Sequence, residues 1–101
     1  MAVLTKIAKV SEIPKGTGKV VEASGKTVAV FNCEGMFYAI DNTCKHRGGP
    51  LGDGSLAGTT VTCPWHGWEY NVTTGECAMD RSIKVQQFDV KVEGDDLLIA
   101  L

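Results

Sequence analysis

The sequence predicts an all-β fold, an antiparallel sandwich or barrel built from short strands. Three observations predict it: short runs rich in β-branched and aromatic residues, turn-forming residues between those runs, and almost no helical periodicity. The chain has 101 residues, so we expect a single domain over residues 1–101. Its apolar share of 44% and charged share of 22% are ordinary for a folded protein and argue against disorder.

The strands are expected in three hairpins, each made of two β-rich runs joined by residues that favour turns. The paired runs are 20–23 with 27–31, 27–31 with 36–40, and 88–92 with 97–101. In the last hairpin Phe88, Val90 and Val92 alternate with polar residues, which is typical of a half-buried strand. The one helical candidate, residues 10–15, is limited to a single turn by Pro14.

A segment rich in glycine interrupts this pattern, and we expect it to be irregular from about residue 42 to about residue 73. Glycines crowd into residues 48–58 together with Pro50. Such a concentration is typical of loops that carry a binding site on a rigid scaffold. The sequence therefore predicts a loop-built site in the middle of the chain.

The two histidines of the chain lie in this segment, and each closely follows a cysteine. The pairs are Cys44 with His46 and Cys63 with His66. A cysteine and a histidine close together on a loop can point at one inorganic centre, and two such loops supply four ligands. Two thiolates and two imidazoles suit either a tetrahedral zinc ion or a two-iron cluster, so the residue types leave both open.

At these residues the sequence resembles the Rieske-type ferredoxins. The matching text is Cys-Lys-His-Arg-Gly-Gly-Pro-Leu at residues 44–51 and Cys-Pro-Trp-His-Gly-Trp at residues 63–68. The strands around these two boxes and the total length also look like those of the family. The resemblance implies the Rieske fold, in which a two-loop cluster-binding subdomain, here about residues 42–73, is inserted into the β domain.

The resemblance also implies one [2Fe-2S] cluster as the cofactor. Cys44 and Cys63 would hold one iron, and His46 and His66 would hold the other. Two neutral imidazoles in place of two thiolates make the oxidised centre less negative, which makes the addition of an electron easier and raises the potential.

Some residues depart from the high-potential members of the family. Gly49 and Trp65 stand where those members carry a disulfide, and Trp68 stands where they carry a serine. Tyr70 matches a position whose hydroxyl approaches a cysteine sulfur in them. With two of these features missing, we expect a midpoint potential near the low end of the Rieske range, from about −150 mV to some tens of millivolts higher.

The resemblance implies a soluble one-electron carrier that passes electrons from a flavoprotein reductase to a terminal, aromatic-ring-hydroxylating oxygenase. A catalytic oxygenase subunit of this superfamily needs a further iron, held by two histidines and a carboxylate. Both histidines of this chain are already assigned to the cluster, so we expect an electron-transfer protein and not an enzyme. We expect a monomer with transient partners. Two alternatives stay open: the small Rieske subunit of an assimilatory nitrite reductase, and a structural zinc-binding interaction module.

The charge and the targeting signals of the sequence indicate which partners and which compartment to expect. The formal charge is −2 and there are no long runs of either sign, so the sequence has no basic patch that would bind nucleic acid. Without a recognisable signal peptide or membrane anchor, we expect no membrane partner and a cytoplasmic location. The two cysteines outside the boxes, Cys33 and Cys77, are predicted to be small buried apolar side chains and not a disulfide.

Overall fold

The fold was analysed in a computed structural model, which describes residues 4–23, 25–44, 49–65 and 67–100. Within these residues all regular structure is β-strand, apart from single turns of 3-10 helix at Val10–Glu12 and Leu51–Asp53. The strands are β1 (Leu4–Lys9), β2 (Gly18–Ala23), β3 (Lys26–Cys33), β4 (Met36–Asp41), β5 (Ser55–Ala57), β6 (Thr60–Thr62), β7 (Glu69–Asn71), β8 (Gln87–Phe88), β9 (Val90–Glu93) and β10 (Asp96–Ala100). No helix in the described ranges is long and apolar enough to cross a membrane.

The strands form three antiparallel sheets, which confirms the predicted fold class. The terminal sheet has the order β1-β10-β9, the central sheet the order β2-β3-β4-β8, and the small sheet the order β5-β6-β7. The three predicted hairpins are present as β2 with β3, β3 with β4, and β9 with β10. The helical turn is also found, although it ends at Glu12.

Strand β1 was not predicted from the sequence. It pairs with β10, and the register shifts between Lys6 and Ala8. Because of this irregularity the inward positions do not follow a strict period of two: Ile7 and Ala8 both contribute to the same buried cluster. A strand interrupted in this way has no clean alternation for the sequence to show.

The prediction that Phe88 shares a strand with Val90 and Val92 is wrong. Phe88 lies on β8, which pairs with β4 in the central sheet, whereas Val90 begins β9 in the terminal sheet. The chain passes from one sheet to the other at Asp89. Since Phe88 and Val90 still contact the same buried cluster, the alternation continues across the change of sheet and imitates one strand.

The segment expected to be irregular contains the whole small sheet. Each of its strands has three residues, which is too short for an alternation to be recognised. Strands β6 and β7 pair in the register Thr60 with Asn71, Val61 with Tyr70 and Thr62 with Glu69. The small sheet therefore gives the site more regular support than the sequence indicated.

Buried side chains form two layers that share the central sheet. The scaffold layer lies between the terminal and central sheets, and it consists of Ala8, Ile13, Val21, Val28, Val30, Ala39, Phe88, Leu97 and Ile99. The site layer lies between the central sheet and the small sheet with its loops, and it consists of Ala29, Phe31, Cys33, Ile40, Cys44, Leu51, Val61, Cys63, Tyr70, Val72, Cys77 and Val85.

Strand β3 belongs to both layers because its side chains alternate between the two faces of the sheet. Val28 and Val30 point into the scaffold layer, and Ala29 and Phe31 point into the site layer. A strand buried on both faces is apolar at successive positions. This explains the uninterrupted apolar run over residues 28–31.

Candidate metal centre

The two cysteines of the boxes lie at the start of two neighbouring loops. Cys44 follows β4 and Cys63 follows β6. Each closes its loop in the same way, since the Cys44 N–H donates to the Gly49 carbonyl at 3.0 Å and the Cys63 N–H donates to the Trp68 carbonyl at 2.7 Å. Both side chains belong to the site layer and are only 2% and 3% exposed.

The loops bring the two sulfurs together. The thiols of Cys44 and Cys63 are hydrogen-bonded to each other, and the backbone N–H of Trp65 donates to the Cys63 sulfur. Burial raises the pKa of the Cys63 thiol, and the Cys44 thiol adds to the rise, while the Trp65 N–H acts in the opposite direction. The other two predicted ligands, His46 and His66, lie outside the described residues.

The hydroxyl of Tyr70 lies 3.5 Å from the Cys44 sulfur. Tyr70 is fully buried on β7, where its backbone pairs with Val61. A thiolate has no proton, so the phenol is the donor once Cys44 is ionised. The contact that the resemblance implied for Tyr70 is thus confirmed.

Gly49 lies directly against the second loop. A Cβ atom at this position would lie 2.7 Å from the Cys63 sulfur and 3.0 Å from Cγ of Trp65, which is closer than real Cβ contacts. Gly49 and Trp65, which by the resemblance stand where high-potential members carry a disulfide, therefore lie against each other. The Trp65 side chain is 50% exposed, so it covers this contact from the solvent side.

These features fit a [2Fe-2S] cluster. The described part of the site offers two buried thiols from separate loops, a side-chain-free position above one sulfur, and a hydrogen-bond donor to each sulfur. Donors aimed at sulfur stabilise a thiolate, which is the form that binds iron. The donor set of the two boxes also suits such a cluster.

The spare cysteines are buried in the same layer, as predicted. Cys33 is 9% exposed and Cys77 is fully buried. All four cysteines are described by the structure, and none of them forms a disulfide. Burial raises the pKa of the Cys33 thiol, and the charge of Glu34 adds to the rise. Both side chains therefore behave as small apolar groups.

Comparison with known proteins gives the family. A family model described as the Rieske [2Fe-2S] domain matches residues 3–98. The ferredoxin component of the naphthalene 1,2-dioxygenase system of Pseudomonas aeruginosa is 39% identical over 93 residues, which cover 89% of this chain and 88% of that protein. The relative is a ferredoxin component, and the match covers about nine-tenths of each chain.

Solved structures agree with this match. A chain in the complex of reduced oxygenase and oxidised ferredoxin of carbazole 1,9a-dioxygenase superposes with a TM-score of 0.89 at 31% identity, and the match covers 97% of this chain and 93% of that chain. A putative NADH-dependent nitrite reductase small subunit from Mycobacterium tuberculosis superposes with a TM-score of 0.91 at 21% identity over 100% of this chain and 96% of that chain. The second likeness shows the fold alone.

The matches decide between the interpretations that the residue types left open. They confirm the Rieske fold, the [2Fe-2S] cofactor and an electron-transfer role, and they set aside the zinc-binding module. Ferredoxin components are favoured over the nitrite reductase subunit because their sequence identity is higher. The chain belongs to the Rieske [2Fe-2S] family, and its cofactor is one [2Fe-2S] cluster.

Proposed function

We propose that this chain is the ferredoxin component of a multicomponent oxygenase that hydroxylates aromatic rings. In this role it carries one electron at a time from a flavoprotein reductase to a terminal oxygenase. The observation that carries the proposal is the near full-length match, in both directions, to the ferredoxin component of a naphthalene dioxygenase system. The match to a chain of an oxygenase–ferredoxin complex supports the choice of electron acceptor.

In this proposal the ligands are the four residues of the two boxes. Cys44 and Cys63 hold one iron, and His46 and His66 hold the other. The bound cluster supplies a centre that gains and loses a single electron. The subdomain that carries these ligands extends over about residues 42–73, within one domain of residues 1–101.

The residues around the sulfurs set how readily an electron is accepted. The reduced centre carries one more negative charge, and the Tyr70 hydroxyl and the Trp65 N–H both donate toward cysteine sulfur. Donors that face a growing negative charge stabilise it, so both contacts favour the reduced state. Burial of Cys44 and Cys63 keeps water away from the sulfurs, which strengthens these interactions.

Electrons leave the protein at the surface formed by the second box. Pro64, Trp65 and Gly67 are exposed there, while Cys63, which precedes them, is buried. Only the thickness of this loop separates the sulfur from solvent. A partner that docks against the loop approaches the centre closely, and a small surface of this kind suits transient association.

We further propose that the protein is a monomer and works in the cytoplasm. None of its four cysteines forms a disulfide, which suits a reducing compartment. Partner exchange also favours a monomer, because one exposed loop must serve the reductase and the oxygenase in turn.

An electron relay tests the proposal. The purified holoprotein, reduced by a flavoprotein reductase of a naphthalene dioxygenase system, should reduce the terminal oxygenase of that system in stopped-flow experiments. We expect the rate to fall steeply with salt, as for transient charged partners. A Cys44→Ser variant, without the cluster, is the control for direct transfer. The proposal would be overturned if the protein reduced no Rieske oxygenase and instead formed a complex with a nitrite reductase large subunit that survives gel filtration.

A further inference from the structure

Two buried polar side chains stand out in the described residues, Asn32 at 5% and Asn42 at 7% exposure. Asn42 follows the last residue of β4 and stands two positions before Cys44. We propose that Asn42 is a positioning residue for the first ligand loop, residues 44–49, and that its side chain fixes where the Cys44 sulfur lies. The proposal rests on the ligand role proposed above for Cys44.

The two ligand loops are supported differently. The second loop, residues 63–68, is the end of a β-hairpin, because Thr62 and Glu69 pair immediately outside it. Its ends are thus held by the β6–β7 ladder. The first loop joins β4 to a 3-10 turn, and the described residues next to it form only an isolated bridge between Thr43 and Pro50.

Asn42 reinforces the first loop. Its carbonyl accepts from the Leu51 N–H at 2.8 Å as part of the Thr43–Pro50 bridge, and its backbone N–H donates to the Thr27 carbonyl at 3.2 Å. Its side-chain oxygen Oδ1 accepts from the Gly52 N–H at 2.7 Å. One residue therefore joins the two ends of the loop to each other and to β3. Of these three bonds, only the one to Gly52 depends on the side chain.

Packing at Gly52 makes that bond hard to replace. A Cβ atom on Gly52 would lie 2.6 Å from Cγ2 and 3.0 Å from the backbone nitrogen of Val20, and 3.1 Å from Oδ1 of Asn42. Gly52 is buried, pressed between β2 and the asparagine. If the amide of Asn42 is removed, the buried Gly52 N–H loses its side-chain acceptor. The end of the loop must then shift, and Cys44 shifts with it.

Asn32 provides a matched control. It is equally buried, its Nδ2 donates to the Ile13 carbonyl at 2.8 Å, and its Oδ1 accepts from the Gly35 N–H at 2.7 Å. The bond to Gly35 holds the turn between β3 and β4, and the bond to Ile13 joins β3 to the segment after the first 3-10 turn; neither involves the ligand loops. Loss of either amide should weaken the fold, but only loss of the Asn42 amide should change the environment of the cluster.

The experiment compares Asn42→Ala with Asn32→Ala as reconstituted holoproteins. We expect Asn42→Ala to lose iron to a chelator at least tenfold faster than the unchanged protein, with an altered visible circular dichroism spectrum and a shifted midpoint potential. Asn32→Ala should keep the spectrum and the potential while its urea midpoint falls. The proposal would be overturned if Asn42→Ala kept the spectrum, the potential and the iron-loss rate of the unchanged protein. It would also be overturned if Asn32→Ala changed these three properties as much as Asn42→Ala does.

Two further variants complete the test. Asn42→Asp keeps an acceptor for Gly52 and should restore the dichroism and the slow iron loss; its added charge acts on the potential directly, so the potential is not its readout. If Asn42→Ala does not fold, Asn42→Ser replaces it, because serine is too short to reach Gly52, and an unchanged spectrum in that variant overturns the proposal. Iron retained in Cys44→Ser would instead contradict the ligand assignment, which separates the two failures.

Discussion

The scaffold layer and the site layer are packed on opposite faces of the same central sheet, yet their chemistry differs. The scaffold layer is built from aliphatic and aromatic carbon alone, whereas the site layer holds all four cysteines and the buried phenol of Tyr70. Carbon packing depends on shape and area and needs no cofactor. Buried thiols, in contrast, can ionise to thiolates that bind iron, and a buried phenol can donate a hydrogen bond to a thiolate. The difference indicates that the scaffold layer stabilises the fold, while the site layer sets the chemistry.

The largest effect should follow from the loss of a ligand sulfur in the site layer. Cys44→Ser should abolish stable cluster assembly, so that iron falls from roughly two per chain to almost none and the visible absorption is lost. Far-ultraviolet circular dichroism should still show β-structure, because the scaffold layer does not contain the cluster. Iron analysis and the two spectra measure both outcomes.

Cys77→Ala is the control for that change, since Cys77 is fully buried in the same layer but lies outside the two boxes. It should keep its full iron content and visible spectrum. A full iron complement in Cys44→Ser would show that Cys44 is no ligand. Loss of β-structure in the same variant would show that the two layers do not fold independently.

The second prediction addresses the scaffold layer. Leu97 is fully buried on β10, and Leu97→Ala should lower the free energy of unfolding by about 2 to 5 kcal/mol. The midpoint potential should stay unchanged, because Leu97 lies across the central sheet from the sulfurs. Urea unfolding and a redox titration provide the measurements. Leu98→Ala is the matched control. Because the Leu98 side chain is only partly buried, this substitution should lower the free energy of unfolding by less. A shifted potential in Leu97→Ala would contradict the division between the layers.

The sequence could indicate a loop-built metal centre because a cysteine and a histidine close together form a local pattern. The residue types alone left a zinc ion and a two-iron cluster open, and Gly-containing turns mark the hairpins. The apolar run in β3 also indicated a strand, but not that its two faces serve different layers. That distinction depends on which sheet covers each face, and no short pattern records it.

The features that escaped prediction depend on contacts between distant segments. Strand β1 has an irregular register, and the change of sheet at Asp89 is masked because Phe88 and Val90 contact the same cluster. Asn42 was overlooked for a similar reason. Its role arises only when Leu51 and Gly52 return to it across the ligand loop. An asparagine between a strand and a ligand box is a signal for a turn, and it could have drawn attention to this position.

The smallest effect should come from a single hydrogen bond within the site layer. Tyr70→Phe removes the hydroxyl that lies 3.5 Å from the Cys44 sulfur and keeps the ring in the core. A hydrogen bond of this kind contributes about 0.5 to 1.5 kcal/mol. Because the bond is present in both oxidation states, its loss should shift the potential by no more than the corresponding value of about 20 to 60 mV for one electron. The bond favours the more negative reduced state, so its loss should lower the midpoint potential.

Tyr38→Phe is the control, because Tyr38 packs against the same layer from β4. Redox titrations of both variants should show a lower potential for Tyr70→Phe alone, while iron content stays unchanged in both. An unchanged or raised potential in Tyr70→Phe would mean that the phenol only fills space. The site layer would then differ from the scaffold layer in its thiols and not in the Tyr70 hydroxyl, while the backbone N–H of Trp65 would remain as a donor that favours reduction.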